Sequence, residues 1–363
     1  MRPLGPQTPA ALALAMLGAT FVIGCGSSST TQEGPPVGTD GGVLSDAPPA
    51  PTDGPLEVAT PAGAVAWVGV ATDRVYFALY GEAIDSVPSA GGAAPSVVTP
   101  AGASGGLYVL GVVAFDSAYV YWAEGAGGKT PGTINRAPLG GGPAQLLASS
   151  TGFIGGIAVD SGNVYWVAQD EGKVYSAPVT GGSGTVVASG LTEPAGMTIH
   201  TGTIYFTDPD GDLMTVPAGG GTVTTIVHGP GLPPNTGVRD FSPGLAVDEN
   251  NVYFSQYYAP EPTLAKVPLT GGAPTVLAHA SAAGIGVDAQ NVYWVTGGGN
   301  VSTVNAVPIV GGAVRVLASN QSSAVGPALD TYSVYWGTSA TMASCGLCPP
   351  GPTGQTTVMK AAK

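Results

Sequence analysis

The sequence is poor in charge, and poorer still in positive charge. Only 9% of its 363 residues are Asp, Glu, Lys or Arg, and 23 acids against 10 bases leave a net charge of −13. Ten cations do not supply the footprint that a phosphate backbone requires, so nucleic acid is excluded as a partner. No basic amphipathic stretch addresses a membrane surface. Histidine is scarce as well, with His200, His228 and His279 as the full set. His200 has no carboxylate or second His at a spacing that defines a general base or a metal ligand set, whereas His228 and His279 both stand where a d strand ends and enters the loop-bearing face, as a loose pair. A Gly-x-Ser-x-Gly elbow, a phosphate loop and an HExxH stretch are all missing. The expectation is therefore a non-catalytic chain without a cofactor.

Gly (58) and Pro (33) are abundant instead. With β-branched residues and few charges, they point to all-β structure joined by tight turns. The organising stretch is Gly156 to Gly182, whose Val-Tyr-Trp core recurs. Its tyrosine reappears as Tyr76, Tyr121, Tyr165, Tyr205, Tyr253, Tyr293 and Tyr335, each followed by Trp or Phe, at steps of 45, 44, 40, 48, 40 and 42 residues. A period of about 40–45 residues built from short strands marks propeller blades.

The third copy serves as template. Gly156 to Asp160 is predicted as strand a, Val164 to Ala168 as b, Lys173 to Ala177 as c and Thr185 to Ala188 as d. Pro88, Pro138, Pro178, Pro217, Pro268 and Pro308 close the c strands, and Gly-Gly pairs supply turns that need positive φ. The last copy ends on a c strand, Thr357 to Ala361, with no d strand after it. Pro55 to Thr60, at the other end, matches the d segments. The expectation is a seven-bladed β-propeller of four-stranded antiparallel blades over residues 55–363, its ring closed by an N-terminal outer strand that joins the last blade.

The N-terminus reads as an address. Arg2 precedes an apolar run, Ala10 to Ile23, that is too short to span a bilayer. It ends in Val22-Ile23-Gly24-Cys25, which resembles a bacterial lipobox. That resemblance implies a signal peptide over 1–24 and acylation of Cys25, so that the lipid bilayer is itself a partner. Gly26 stands where an inner-membrane retention signal would resemble an aspartate, which favours the outer membrane or the cell surface. Residues 26–54, rich in Ser, Thr, Gly and Pro, have little to bury and read as a disordered stalk. Such a stalk has a root-mean-square reach of about 30 Å.

The repeats resemble the YWTD and NHL groups of propellers, and Ile204-Tyr205-Phe206-Thr207-Asp208 comes near the YWTD signature. The chain departs from the low-density-lipoprotein-receptor type in having seven copies instead of six. These groups mostly bind proteins or peptides, while the same architecture also hosts lyases and lactonases, so fold alone does not decide function.

Loop lengths differ between the two ends of the blades. The a–b and c–d turns are short and uniform, whereas the b–c loops and d–a crossovers vary, and a variable face over a rigid frame is where specificity sits. Candidate binding residues there are Tyr257, Tyr258, Glu261, Arg239, Phe241, Phe153, Tyr108, Tyr80 and Glu82, aromatics beside an Arg being the types that dominate interfaces. Trp67, at a position where five copies carry Gly, reads as a ligand platform or as a space-filling plug. The aspartates that end strand a (Asp116, Asp160, Asp248, Asp288, Asp330) read as turn residues.

Asp208, Asp210 and Asp212 resemble the start of a calcium loop but have Gly fourth instead of sixth. Cys345 and Cys348, in the last b–c loop, lack the second half of a zinc site and read as a disulfide in an exported protein. The functional expectation is a monomeric, membrane-anchored lipoprotein that binds a protein, peptide or glycan through the variable face. The alternative is a metal-dependent hydrolase or lyase with His200, His228 or His279 as base.

Overall fold

The structure, a computed structural model, describes residues 54–79, 83–99, 113–125, 132–160, 162–229, 244–256, 261–296, 301–339 and 356–363. All lie in the compact unit Ala50–Lys363. Strand β1 (Leu56–Ala59) precedes the first blade, which is β2 (Val65–Ala71), β3 (Arg74–Leu79), β4 (Ile84–Pro88) and β5 (Ser96–Thr99). Blade 2 is β6 (Val113–Phe115), β7 (Tyr119–Gly125), β8 (Gly132–Pro138) and β9 (Gln145–Ser150). Blade 3 is β10 (Ile154–Val159), β11 (Asn163–Ala168), β12 (Lys173–Pro178) and β13 (Thr185–Ser189). Blade 4 is β14 (Ala195–His200), β15 (Thr203–Thr207), β16 (Leu213–Pro217) and β17 (Thr224–Val227). Blade 5 is β18 (Leu245–Val247), β19 (Asn251–Gln256), β20 (Thr263–Pro268) and β21 (Thr275–Ala278). Blade 6 is β22 (Ala282–Val287), β23 (Asn291–Thr296), β24 (Ser302–Pro308) and β25 (Arg315–Gln321). Blade 7 is β26 (Val325–Leu329), β27 (Ser333–Thr338) and β28 (Thr357–Ala362), and β1 completes it.

The seven four-stranded antiparallel sheets are therefore those expected from the repeat, and the N-terminal strand closes the ring. Strand β1 pairs with β28, Leu56 opposite Lys360 and Glu57 opposite Met359. The six prolines end their c strands as predicted, and the Gly-Gly pairs that follow have positive φ at both positions, as at Gly181 (96°) and Gly182 (151°). The glycines that begin the innermost strands are there because neighbouring strands crowd one another. A Cβ on Gly284 would lie 2.0 Å from the carbonyl oxygen of Gly326 in the next blade. In this region the innermost strands of blades 1, 3, 4, 6 and 7 also carry bulges, which start them one or two residues before the predicted boundary.

The recurring Tyr-Trp/Phe pair follows from the two-residue period of a strand, which sends adjacent side chains to opposite faces. In each blade the tyrosine enters one interblade layer and its neighbour the other. Tyr76 shares a layer with Trp122, Tyr121 with Trp166, Tyr165 with Phe206 and Tyr205 with Phe254. Tyr253 shares one with Trp294 and Tyr293 one with Trp336. The series closes where Tyr335 of blade 7 meets Phe77 of blade 1, in a layer that also contains Val58 and Val358. The core is thus seven apolar layers, one in each junction between blades.

Ring closure through β1 has a direct test. Val58 is 3% exposed and Leu56 is 53% exposed. Val58→Asp places a charge in the closing layer and is expected to destabilise the domain by several kcal/mol. Leu56→Asp on the outer side of the same strand changes stability by no more than about 0.5 kcal/mol. Urea denaturation of both variants measures the difference; equal stability would mean that the strand does not close the ring in this register.

Candidate functional site

The a–b turns form one rim of the ring, and their geometry is repeated closely. In five blades the aspartate at the end of the innermost strand accepts two backbone N–H bonds through Oδ1 and a tyrosine hydroxyl through Oδ2. Asp160 takes Gly162 N at 2.9 Å, Asn163 N at 2.8 Å and Tyr165 Oη at 2.9 Å. The same triad is built on Asp116, Asp248, Asp288 and Asp330 with Tyr121, Tyr253, Tyr293 and Tyr335. The aspartates are turn residues, as the sequence suggests, with the repeat tyrosine as an added partner. Burial, followed by the aspartate beside each hydroxyl, pushes Tyr165, Tyr293 and Tyr335 up to about 12. Burial would raise the carboxyl of Asp248, but donation from Tyr253 and from the Asn250 and Asn251 amides outweighs it and holds Asp248 low.

Blades 1 and 4 lack this aspartate. In blade 1 Ala71 takes its place, and the Tyr76 hydroxyl donates to the carbonyl of Leu139 in blade 2, at 3.1 Å. In blade 4 the position is His200, whose Nε2 lies 3.7 Å from Glu249.

The opposite rim carries the b–c loops and the d–a crossovers. Its best-defined part is in blade 3, where Gln169–Glu171 forms a 3-10 turn closed by Gly172 at φ 61°. The Glu171 carboxylate accepts from Tyr175 Oη at 2.6 Å and Lys173 Nζ at 3.0 Å, and also from Thr151 of the preceding crossover. Burial opposes ionisation of Glu171, yet these three donors hold its carboxyl down at about 2. Tyr175 stacks on Trp166 at 5.4 Å. Phe153 lies next to this clamp, and its carbonyl receives the Gln169 amide at 2.8 Å.

The other candidates are distributed. Asp208 and Asp212 form a turn: Asp208 Oδ1 accepts Asp212 N at 2.9 Å, and Asp212 Oδ1 accepts Gly229 N at 2.8 Å. Burial, with the neighbouring Asp212 and Asp210 charges, raises Asp208 to about 6. His228 Nδ1 is 3.3 Å from Asp212, and His279 Nδ1 is 3.4 Å from Glu261. His228 and His279 thus face the variable rim, His200 faces the other, and each pairs with a different acid. Among the described residues no three His, Cys, Asp or Glu side chains form a group that could hold a metal ion. Trp67 sits in the seam between blades 1 and 2, 5.2 Å from Phe115, with its ring edge over Gly69. Tyr80, Glu82, Tyr108, Arg239, Phe241, Tyr257 and Tyr258 lie outside the described residues, as do Cys25, Cys345 and Cys348.

A feature that sequence reasoning missed lies on the short-turn rim. A cleft of about 790 Å³ opens between blades 6 and 7, lined by Val287, Tyr293, Arg315, Leu329, Thr331 and Lys363 among others. Lys363 Nζ contacts Asp288 at 3.0 Å and lies 5.5 Å from the centre of the Tyr293 ring. The strand position that holds Lys266 in blade 5 and Lys360 in blade 7 is Ala306 in blade 6, and Ser86, Ser176 and Thr215 in blades 1, 3 and 4. Both lysines reach across to the next blade, Lys266 to the Ile309 carbonyl at 2.7 Å and Lys360 to the Ser89 carbonyl at 2.9 Å. Ala306 cannot.

Two measurements test the turn triad. Tyr165→Phe removes a bond to a carboxylate and is expected to cost about 1.5–3 kcal/mol, whereas Tyr205→Phe in aspartate-free blade 4 costs less than about 0.5 kcal/mol. A folded-state tyrosine pKa raised to about 12 gives stability that is complete below pH 10, the ordinary tyrosine value, and is lost as pH climbs toward 12. Ultraviolet titration of the tyrosines should then rise together with alkaline unfolding; tyrosines that ionise near their ordinary value in the folded protein would contradict the triad. For Glu171 the sign is reversed. Its depressed carboxyl gives stability that is present above about 4.5 and lost as pH falls toward 2. Glu171→Gln should flatten that acid limb.

No protein-family model matches the chain, and no curated protein does. Among solved structures, the chain is similar in fold to a streptogramin B lyase, at TM-score 0.62 and 12% identity over 85% of this chain and 97% of that one. It is also similar to a computationally designed protein, Ika8, at TM-score 0.53 and 14% identity over 83% and 98% of the two chains. A prolyl endopeptidase structure matches at TM-score 0.53 and 13% identity, over 78% of this chain and 47% of that one. At these identities the likeness is one of fold: the chain is a seven-bladed β-propeller.

Proposed function

We propose that the chain is a lipid-anchored envelope protein whose propeller binds a protein, peptide or glycan through the rim of b–c loops and d–a crossovers. The observation that carries this reading is the asymmetry between the rims. One is locked by the same Asp-Tyr turn in five blades, while the other differs from blade to blade in length and composition. A rigid ring with one variable rim is a scaffold for recognition. The blade 3 clamp supports it, since Glu171, Tyr175 and Trp166 present Phe153 from an ordered loop. In this reading residues 1–24 are removed, Cys25 is acylated and residues 26–54 hold the ring off the outer membrane or cell surface. Tyr257, Tyr258, Arg239, Phe241, Tyr80 and Glu261 belong to the contact surface.

A hydrolase or lyase reading draws on two His-carboxylate pairs on the same rim, His228–Asp212 and His279–Glu261. In the binding reading these pairs are surface contacts.

Expressed at full length in a bacterium, the protein should incorporate labelled palmitate and fractionate with membranes, and Cys25→Ser should abolish both. Capture of a partner from envelope extracts should weaken about tenfold or more in Tyr257→Ala/Tyr258→Ala/Arg239→Ala. Undiminished capture of a verified partner would dismiss this rim. Stoichiometric metal in the purified protein would favour the enzymatic reading instead.

A further inference from the structure

The charged groups of the cleft between blades 6 and 7 are unevenly partnered. The two carboxylates are committed: Asp288 accepts the Gln290 and Asn291 amides, the Tyr293 hydroxyl and Lys363 Nζ. Asp330 accepts the Tyr332 and Ser333 amides and the Tyr335 hydroxyl. The cations differ in this respect. Seven Lys and Arg side chains occur among the described residues, and six have partners. Arg74 donates to Ser86, Arg136 to Gln145, Lys173 to Glu171, Lys266 to Ile309, Lys360 to Ser89 and Lys363 to Asp288. Arg315, which lines the cleft, is the one cation among them without a hydrogen bond or ion pair. Arg315 stands exposed at the start of β25, the outermost strand of blade 6.

The junctions differ in what crosses them. At blades 5–6 and 7–1 a lysine spans the gap to the next blade's carbonyl. At blades 6–7 the equivalent residue is Ala306, which pairs with Arg315 across the sheet, so no lysine from that position crosses the junction. Val287 and Leu329 contribute apolar side chains to the cleft's lining, beside Thr331.

We propose that this cleft binds a monoanionic carboxylate with a small apolar body, held by the Arg315 guanidinium. The planar fork of a guanidinium matches a carboxylate in two parallel bonds. Lys363, fixed by Asp288 and with a side chain only 15% exposed, adds positive potential and further N–H donors. Val287 and Leu329 take the apolar body of the ligand. Asp288 and Asp330 disfavour a dianion such as phosphate, because two fixed negative charges line the same cleft. The ligand chemistry has two natural sources, the C-terminal carboxylate of a peptide and a free small organic acid.

Calorimetry on the full chain separates these outcomes. The probes are N-acetyl-glycyl-alanine, its C-terminal amide, propionate and inorganic phosphate. The carboxylate peptide or propionate should bind, while the amide and phosphate bind at least tenfold more weakly. Tighter binding of the peptide assigns a peptide terminus, and equal binding of the two assigns a free acid. Arg315→Gln should lower carboxylate affinity about tenfold or more, and Arg315→Lys should recover part of it. Unchanged denaturation midpoints in these variants show that the fold is kept. Absence of carboxylate binding at millimolar concentration, equal binding of the amide or of phosphate, or indifference to Arg315→Gln overturns the proposal.

Discussion

Every junction in the ring rests on one contact pattern, a tyrosine from the second strand of one blade in the same apolar layer as the Trp or Phe of the next. Because adjacent residues of a strand face opposite ways, a two-residue pair serves two junctions at once. Tyr121 and Trp122 illustrate this: the first belongs to the layer with Trp166, the second to the layer with Tyr76. Seven such pairs form a closed cycle, and the closing step from Tyr335 to Phe77 joins the two ends of the chain. A cycle has no terminal repeat to cap, but it needs the last sheet completed, and β1 completes it. Closure and core packing are therefore the same requirement, since Val58 enters the layer that Tyr335 and Phe77 define.

Once the tyrosine is fixed by packing, its hydroxyl emerges at the rim and meets the aspartate of the a–b turn. This order of cause explains which copies deviate. Blades 1 and 4 keep Tyr76 and Tyr205 although Ala71 and His200 replace the aspartate, so the ring needs the aromatic side chain more than the turn bond. The consequence is a rim whose turns are all short and mostly identical, held by buried or half-buried charge-assisted bonds. Among the described residues the other rim has no repeated bond of this kind. Its defined contacts are particular to one blade, as in the Glu171 clamp of blade 3.

Much of this could be read from the sequence, and the reason is periodicity. Tyrosine spacing fixed the blade count, the Pro and Gly-Gly positions placed the ends of the c strands, and the missing d strand after Thr357 pointed to Pro55–Thr60 as its replacement. The aspartates were readable as turn residues because the amides they accept lie two and three positions away. Their bond to tyrosine was harder to see, because residues five apart meet only after the strand folds back. The candidate site was less legible. Tyr257, Tyr258, Arg239 and Phe241 were named from residue type and loop position, and neither property says which side chains converge. The three histidines were placed correctly by the repeat, His200 at an a–b turn and His228 and His279 where d strands end, but their acidic partners Glu249, Asp212 and Glu261 were not legible, because each lies on another strand or loop.

The cleft between blades 6 and 7 belongs to a class of feature that motif reading misses, because it is assembled from residues of two blades far apart in the chain. A repeat protein offers the same junction several times, so each junction acts as a control for the others. Lys266 and Lys360 cross two of the junctions, whereas Ala306 in blade 6, like Ser86, Ser176 and Thr215 in blades 1, 3 and 4, is too short to do so. Alanine at a strand position carries no signal by itself. It acquires one only by alignment with its counterparts in the ring, together with an arginine that the surrounding acids leave free. In a frame this regular, departures from the repeat on the rigid rim carry as much information as variation on the loop-bearing one.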